Sequence, residues 1–231
     1  MFKPLCLAAL TLIAPGAWAD APITEAEARL IAAGMPVVRY ARRHDLPVDI
    51  VVQPDATPEA SPIAMGIKDG RCKLVLSMRG NPDATALLAS VPPGLYDAVV
   101  EAVFAHEIGH CWRYVQGKWN ALPAGFANAA EDADIADDAE LASLQRAMRE
   151  TRREEAFADL VGLAWTRRAH PQQYASVRAW FERFRIDTVR GEHHDTGAWL
   201  RLAREPSAFD GAGGLFRPAE VLWERGLRTQ D

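Results

Sequence analysis

The stretch PPGLYDAVVEAVFAHEIGHCWRYVQG, residues 92 to 117, places the strongest constraint on how this chain folds. Two prolines precede its apolar interior and a glycine ends it, which is typical of a helix and its boundaries. The sequence therefore predicts one long helix that contains His106, Glu107 and His110. Because residues four apart in an α-helix project from the same face, the two imidazoles lie one turn apart on one side.

The spacing His-Glu-x-x-His suits a single zinc ion. Zinc lowers the pKa of a bound water molecule, and Glu107 is placed to take a proton from that water without binding the metal. The same spacing also arises by chance in helices that bind nothing, and the helix alone does not separate the two interpretations. A catalytic zinc ion needs a third protein ligand and one open position, so a further ligand is expected elsewhere in the chain.

The third ligand is expected in the helical segment RREEAFADLVG. Glu155 and Asp159 are four residues apart on one helical face, so Glu155 can reach the metal while Asp159 accepts the free ring N–H of one histidine. Glu154 is the rival ligand, but the residue four positions after it is Ala158, which cannot take the second role. The alternative is that both carboxylates pair with neighbouring arginines on a solvated face.

The two motifs HEIGH and EAFAD together resemble the gluzincin metallopeptidases, and the alanine before Asp159 is similar to the HtpX-like branch. The resemblance implies an α+β chain with a compact zincin-like (minigluzincin) fold, in which a small sheet with an edge hairpin packs on the active-site helices. It also implies that the hairpin strand CKLVLSM is an edge strand, which pairs with an extended substrate above one catalytic Zn²⁺ ion. The chain departs from the membrane-bound members because it lacks their transmembrane helices.

The segment GEHHDTGAWLRLA is similar to the His-Pro-Ser/Thr segment found late in the HtpX-like family. The resemblance implies that His194, two residues before the helix cap Thr196, donates a hydrogen bond to the oxyanion that develops during hydrolysis. Asp195 stands where the family has proline. His193 and Arg201 are alternatives for the same role, and a pair of surface histidines without function is the other interpretation.

The remaining patterns predict a helix, then a small sheet, then further helices. Thr24 and Glu27 form a capping-box pattern at the start of a helix over residues 25–44. The β-branched run VDIVVQP indicates a strand, and Asp69-Gly70 between two strand-like runs indicates a hairpin. Helices are also expected over residues 172–184 and from about Thr196 onward.

Residues 1–19 have the layout of a secretory signal peptide, with a basic residue, a short apolar run and small residues before the expected cleavage site. Residues 20–231 are expected to form one domain, exported to the periplasm or secreted, with no integral membrane segment. In an oxidising compartment, Cys72 and Cys111 either form a disulfide or remain separate thiols.

The chain has 31 acidic and 26 basic side chains and a formal net charge of −5 at pH 7. A nucleic-acid surface requires a basic face, so nucleic acid is not an expected partner. The acidic run over residues 131–140 invites comparison with calcium sites, but it lacks the ligand spacing of a calcium loop, and a solvated face or flap is favoured.

Together these features predict an exported zinc-dependent endopeptidase that hydrolyses extended or unfolded protein segments. In this interpretation His106, His110 and Glu155 bind the metal, while Glu107 and His194 are catalytic. The alternative is a catalytically silent zincin-like protein that binds a partner or has a regulatory role at the cell envelope. Glu107 favours the enzyme, because a binding module has no need of a carboxylate beside the metal.

Overall fold

A computed structural model describes residues 22–55, 57, 60–126, 138–186 and 193–228 of the chain. The expected signal peptide and its cleavage site lie outside the described residues. Most of the acidic run also lies outside them, and its last residues, from Asp138 to Glu140, are found at the start of a helix.

The first helix, α1, spans Glu25–Arg43 and begins with the expected capping box. The N–H of Glu27 donates to the Thr24 hydroxyl at 3.2 Å, and the N–H of Thr24 donates to the Glu27 carboxylate at 2.8 Å. These two bonds satisfy N–H groups that a helix start otherwise leaves without partners. The expected helix is therefore present, and His44 is its C-cap.

A three-stranded sheet follows α1 and consists of β1 (Val48–Val52), β2 (Ile63–Lys68) and β3 (Arg71–Leu76). Asp69 and Gly70 connect β2 to β3 with φ angles of 53° and 69°. A tight two-residue hairpin turn requires positive φ at both positions, which Asp-Gly tolerates. β3 pairs antiparallel with β2 and parallel with β1.

The expectation that CKLVLSM forms an edge strand is wrong. The strand order is β1-β3-β2, so β3 lies at the centre of the sheet. β1 pairs with five of the six residues of β3, from Val48 opposite Cys72 to Val52 opposite Leu76. It therefore satisfies the backbone groups that an edge strand would offer to a substrate, and β2 is the hairpin strand that lies at an edge.

Six further α-helices follow the sheet in the described part of the chain. They are α2 (Pro82–Ala89), α3 (Tyr96–Val115), α4 (Ala139–Ala169), α5 (Tyr174–Ile186), α6 (Gly197–Leu202) and α7 (Phe216–Arg228). Short 3₁₀ helices cover Pro171–Gln173 and Pro206–Phe209. Four of these α-helices, α3 to α6, correspond to expected ones, whereas α2 and α7 are additional.

The long helices α3 and α4 form the most extensive helix–helix contact among the described residues. A Cβ atom at Gly162 of α4 would lie 2.8 Å from the backbone oxygen of Ala102 in α3. A Cβ atom at Gly109 of α3 would lie 3.1 Å from the Cα atom of Ala158 in α4. The two glycines therefore permit the close approach that brings the histidine face of α3 onto the carboxylate face of α4.

Cys72 of β3 and Cys111 of α3 form a disulfide with a Cα–Cα separation of 5.8 Å. The alternative of two separate thiols is therefore wrong. Both residues are fully buried, and the bond joins the central strand to the helical turn that carries His110.

The expected α+β class is confirmed for the described residues, in which seven α-helices accompany a small mixed sheet. Across these ranges, no helix has both the length and the apolar character needed to cross a membrane.

Candidate metal centre

The three side chains expected to bind a metal converge between α3 and α4. Nε2 of His106 lies 3.2 Å from Nε2 of His110 and 3.5 Å from Oε2 of Glu155. Nε2 of His110 lies 3.4 Å from Oε1 of Glu155. The side chains are largely buried, with exposed fractions of 10% for each histidine and 14% for Glu155. One turn of α3 thus supplies both imidazoles, and α4 supplies the carboxylate opposite them.

The separations of these donor atoms fit one metal ion. A tetrahedral zinc ion with bonds of about 2.0–2.2 Å holds its ligand atoms about 3.3–3.6 Å apart. The observed separations of 3.2, 3.4 and 3.5 Å are close to those values. Two imidazoles and one carboxylate also form a donor set found in catalytic zinc sites. Among the described residues, His106, His110 and Glu155 are the one set of three or more His, Cys, Asp or Glu side chains close enough together to hold a metal ion.

Asp159 contacts the other ring nitrogen of His106. Its Oδ1 atom lies 2.9 Å from Nδ1, and the hydroxyl of buried Thr196 donates to its Oδ2 atom at 2.6 Å. An ionised carboxylate only accepts hydrogen bonds, so Nδ1 carries the proton and Nε2 keeps its lone pair for a metal. The structure thus places Asp159 in the position that its spacing from Glu155 predicts, with His106 as the histidine concerned.

Glu154, the rival ligand, has different partners. Its side chain is 1% exposed and accepts a hydrogen bond from Nη2 of Arg113 at 2.7 Å. The N–H of Asn120 donates to the same carboxylate at 2.9 Å. Arg113 also lies over the ring of Trp223, 4.3 Å from its centroid. The Glu154–Arg113 pair therefore joins α4 to α3, with Arg113 also contacting α7, and Glu154 is not part of the ligand cluster.

Glu107 is buried next to the cluster, with 6% of its surface exposed. Burial raises the pKa of its carboxyl group, while the neighbouring His106 and His110 oppose that increase. A buried carboxyl group with a raised pKa is a common form of general base in hydrolytic sites.

The carboxylates give the cluster a strong preference for positive charge. Burial by itself would lower the pKa of His110, but the hydrogen bond and charge of Glu155 outweigh burial and raise that pKa to about 9. Burial would raise the pKa of Glu155, yet the surrounding imidazoles hold it well below its usual range. Asp159 behaves in the same way, because Arg185 and His106 lower its pKa more than burial raises it. These charges favour the binding of a cation.

His194 reaches the cluster from the segment before α6. Its Nε2 atom lies 3.3 Å from Oε2 of Glu155, and 42% of its side chain is exposed. The ring of His193 lies against that of His194, with 4.1 Å between the ring centroids. Arg201 is exposed on α6. His194 therefore occupies a position from which it can contact both the cluster and a substrate.

Two residues that complete this arrangement were not predicted from the sequence. Arg185, near the end of α5, donates to both oxygens of Asp159. Thr196 occupies the expected N-cap position of α6, but its hydroxyl donates to Asp159 instead of capping the helix. The sequence indicates such residues only indirectly. A buried carboxylate requires a positive partner and hydrogen-bond donors, but local sequence patterns do not identify the residues that supply them.

The ring of Trp119 contacts the ring of His110. Their rings meet edge to face with 5.7 Å between centroids, and Trp119 is 42% exposed. Nδ1 of His110 is buried and has no hydrogen-bond partner among the described residues. Among the described residues, His110 thus has an edge-to-face contact with Trp119, whereas the ring of His106 has a hydrogen bond to Asp159.

Comparisons with known proteins give no relative of this chain. No protein-family model matches it, and neither a curated protein nor a solved structure does so. A functional assignment therefore depends on the geometry of the cluster and on the chemistry of its side chains.

Proposed function

We propose that the protein is an exported zinc-dependent endopeptidase with a zincin-like fold, which cleaves extended or unfolded protein segments. The observation that carries the proposal is the convergence of His106, His110 and Glu155 beside the buried carboxyl group of Glu107. Three protein ligands and an adjacent general base are the groups that a hydrolytic zinc site requires.

In this proposal, zinc acts when bound as a Lewis acid that polarises the scissile carbonyl and activates water. His106, His110 and Glu155 hold the ion, and Asp159 fixes the ring of His106. Glu107 accepts a proton from the attacking water and passes it to the amine that leaves. His194 donates a hydrogen bond to the carbonyl oxygen as negative charge develops there.

The edge strand β2 supports an extended peptide as the substrate. β2 has β3 as its strand neighbour and packs against α3, the helix that carries both histidines. A peptide that adds to a strand edge binds through main-chain hydrogen bonds, which require an extended conformation and not a particular sequence. The substrate-binding role expected for β3 is therefore assigned to β2 in this proposal.

Two features support an exported location. The first is the signal-peptide pattern of residues 1–19, whose removal would leave Asp20 as the first residue. The second is the disulfide between Cys72 and Cys111, because disulfides persist mainly in oxidising compartments. Recovery of the protein from the periplasm or medium with Asp20 at its N-terminus would support this location, and recovery from the cytoplasm with an intact Met1 would contradict it.

The decisive experiment measures zinc content and hydrolysis in the same preparation of residues 20–231. We expect about one zinc ion per chain, as in mononuclear catalytic sites, together with cleavage of fluorescently labelled casein. A chelator should remove both, and added zinc should restore both. Glu107→Gln should keep zinc and lose hydrolysis, because it removes the general base without removing a ligand.

Glu101→Gln is the matched control for this substitution. Glu101 is also buried on α3, but its carboxylate accepts a hydrogen bond from Trp165 at 2.7 Å, so the change should leave zinc content and hydrolysis in place. A wild-type protein that binds zinc without hydrolysing unfolded proteins or peptides would favour the silent binding protein. A protein that binds no zinc would overturn the metal site itself.

A further inference from the structure

Arg185 is buried against the two carboxylates of α4 that belong to the proposed metal centre. Its side chain is 8% exposed. Nε donates to Oδ2 of Asp159 at 3.1 Å, and Nη2 donates to Oδ1 of the same residue at 2.8 Å. Nη2 also lies 3.3 Å from Oε2 of Glu155. A single guanidinium group thus contacts the expected metal ligand and the carboxylate that orients His106.

The charges at this position explain why a permanent cation is needed there. The carboxyl groups of Glu107, Glu155 and Asp159 lie together in a largely buried region. A bound divalent metal ion would supply two positive charges beside them, and Arg185 supplies a further one. Buried charges that lack such partners are strongly unfavourable. The carboxylates of the cluster would therefore be balanced by the metal and the guanidinium group together.

We propose that Arg185 is the positioning residue of this metal centre, and the inference rests on the proposed zinc site. Its planar fork holds Asp159 by both oxygens, so that Oδ1 faces His106, and its Nη2 group also holds Glu155. Because only 8% of its side chain is exposed, Arg185 offers little surface for direct contact with a substrate. Arg185 acts through the two carboxylates, which in turn act on the metal.

The guanidinium shape is essential to this role. A lysine ammonium group keeps the charge but cannot form the same planar pair of hydrogen bonds to one carboxylate while it contacts a second. Arg185→Lys should therefore preserve charge balance and lose part of the orientation. Arg185→Met should lose both, because methionine replaces the aliphatic part of the arginine side chain and has neither charge nor hydrogen-bond donors.

The test measures metal binding, which does not depend on turnover. Zinc dissociation constants are obtained by competition with a chromophoric chelator, and the visible spectrum of the Co²⁺-loaded protein reports the ligand geometry. For Arg185→Met we expect zinc affinity to fall about 10- to 100-fold, as for other residues that orient metal ligands, with an altered Co²⁺ spectrum. Arg185→Lys should fall between this variant and the wild type.

Arg183→Met is the matched control, since Arg183 is an exposed arginine on the same helix. It should bind both metals as the wild type does. The double variant Arg185→Met, Asp159→Asn tests the route of action. If Arg185 acts largely through Asp159, the double variant should lose less affinity than the sum of the two single effects.

An unchanged zinc affinity and Co²⁺ spectrum in Arg185→Met would overturn the inference. Circular dichroism of the metal-free proteins shows whether each variant folds. If Arg185→Met does not fold, the inference is overturned instead by an Arg185→Lys variant whose zinc affinity and Co²⁺ spectrum equal those of the wild type. Failure of the proposed enzyme is a separate outcome, in which the wild type binds zinc tightly but hydrolyses no peptide. A wild type that binds no zinc contradicts both.

Discussion

His106 and Asp159 are joined by a contact of 2.9 Å between Nδ1 and Oδ1, although 53 positions separate them in the sequence. The contact determines which imidazole nitrogen carries the proton and turns Nε2 toward His110 and Glu155. It also connects α3 to α4 at the level of the ligand cluster. The interaction between these two residues is therefore a sensitive test of the proposed site.

Asp159→Asn should weaken zinc binding about 10- to 100-fold, the usual effect of losing a group that orients a metal ligand. The asparagine amide can present a donor where Nδ1–H needs an acceptor, which favours the wrong tautomer of His106. Competition with a chromophoric chelator measures the change. Asp97→Asn, an exposed change on α3, is the control and should be silent. Wild-type affinity in Asp159→Asn would show that the contact has no role in metal binding.

The adjacent residues Glu154 and Glu155 should respond to mutation in opposite ways. Glu155→Ala and His110→Ala should lose bound zinc, because each removes a ligand. Glu154→Ala should keep zinc but lower the free energy of unfolding by about 3–5 kcal/mol, since it leaves buried Arg113 without its partner. Zinc content and thermal unfolding separate the two effects. Full zinc content in His110→Ala would refute the ligand set.

The elements predicted well are those that depend on local rules. The capping box of Thr24 and Glu27 and the hairpin at Asp69-Gly70 follow from hydrogen-bonding capacity and tolerated φ angles, which neighbouring residues decide. The sequence analysis does not predict α2, although a local signal for it exists: Asn81 caps the helix and Pro82 occupies its first turn. Local rules do not determine which side of β3 another strand covers, so its central position could not be predicted.

The candidate site likewise contains residues that local spacing predicts and residues that it does not predict. His106, His110, Glu155 and Asp159 follow helical spacing, so the sequence could predict which of them share a face. Arg185 lies on a third helix with no motif around it, and its position depends on how α5 packs on α4. Residues that complete a site from a separate element are determined by tertiary packing, and sequence spacing does not contain that information.

His194→Ala should lower kcat about 10²- to 10³-fold, the typical effect of losing one oxyanion donor, with little change in zinc content or KM. The reason is that such a donor acts mainly in the transition state. His193→Ala is the matched neighbour and should have a small effect. If the two variants exchange behaviour, His193 is the donor. If both keep full activity, the oxyanion is stabilised by another group.

Glu27→Gln should lower the free energy of unfolding at neutral pH and have little effect on it in acid. Hydrogen bonds from Arg79, at 2.8 and 2.7 Å, lower the pKa of buried Glu27 from its usual value of 4.5, while burial opposes them. A carboxyl group whose pKa is lower in the folded than in the unfolded protein stabilises the fold at pH values above its unfolded pKa. That contribution is lost as the pH falls through its folded pKa. Thermal unfolding from pH 7 to pH 3 should therefore show a narrowing difference between wild type and variant. Glu25→Gln, in the same helical turn but exposed, should show little difference at any pH.

Removal of the disulfide should affect both stability and the metal centre. Cys72 and Cys111 are separated by 39 positions, and the loss of a cross-link that closes such a loop is expected to lower the free energy of unfolding by about 4 kcal/mol. Cys111 directly follows His110, so the bond also fixes the turn of α3 that presents this histidine to Glu155. The variant Cys72→Ala, Cys111→Ala should unfold at a lower temperature, and its zinc affinity should fall even at temperatures where it is fully folded.

The reduced wild type provides the comparison, since it removes the covalent bond but keeps both sulfur atoms in the core. Zinc affinity should decrease in the reduced wild type and in the double alanine variant alike, because both release the constraint on the His110 turn. Addition of reductant should not change zinc affinity in the alanine variant, which has no bond to break. If reduction lowers the unfolding temperature but leaves zinc affinity unchanged, the disulfide stabilises the fold alone, and the packing of α3 on α4 is sufficient to hold His110 in place.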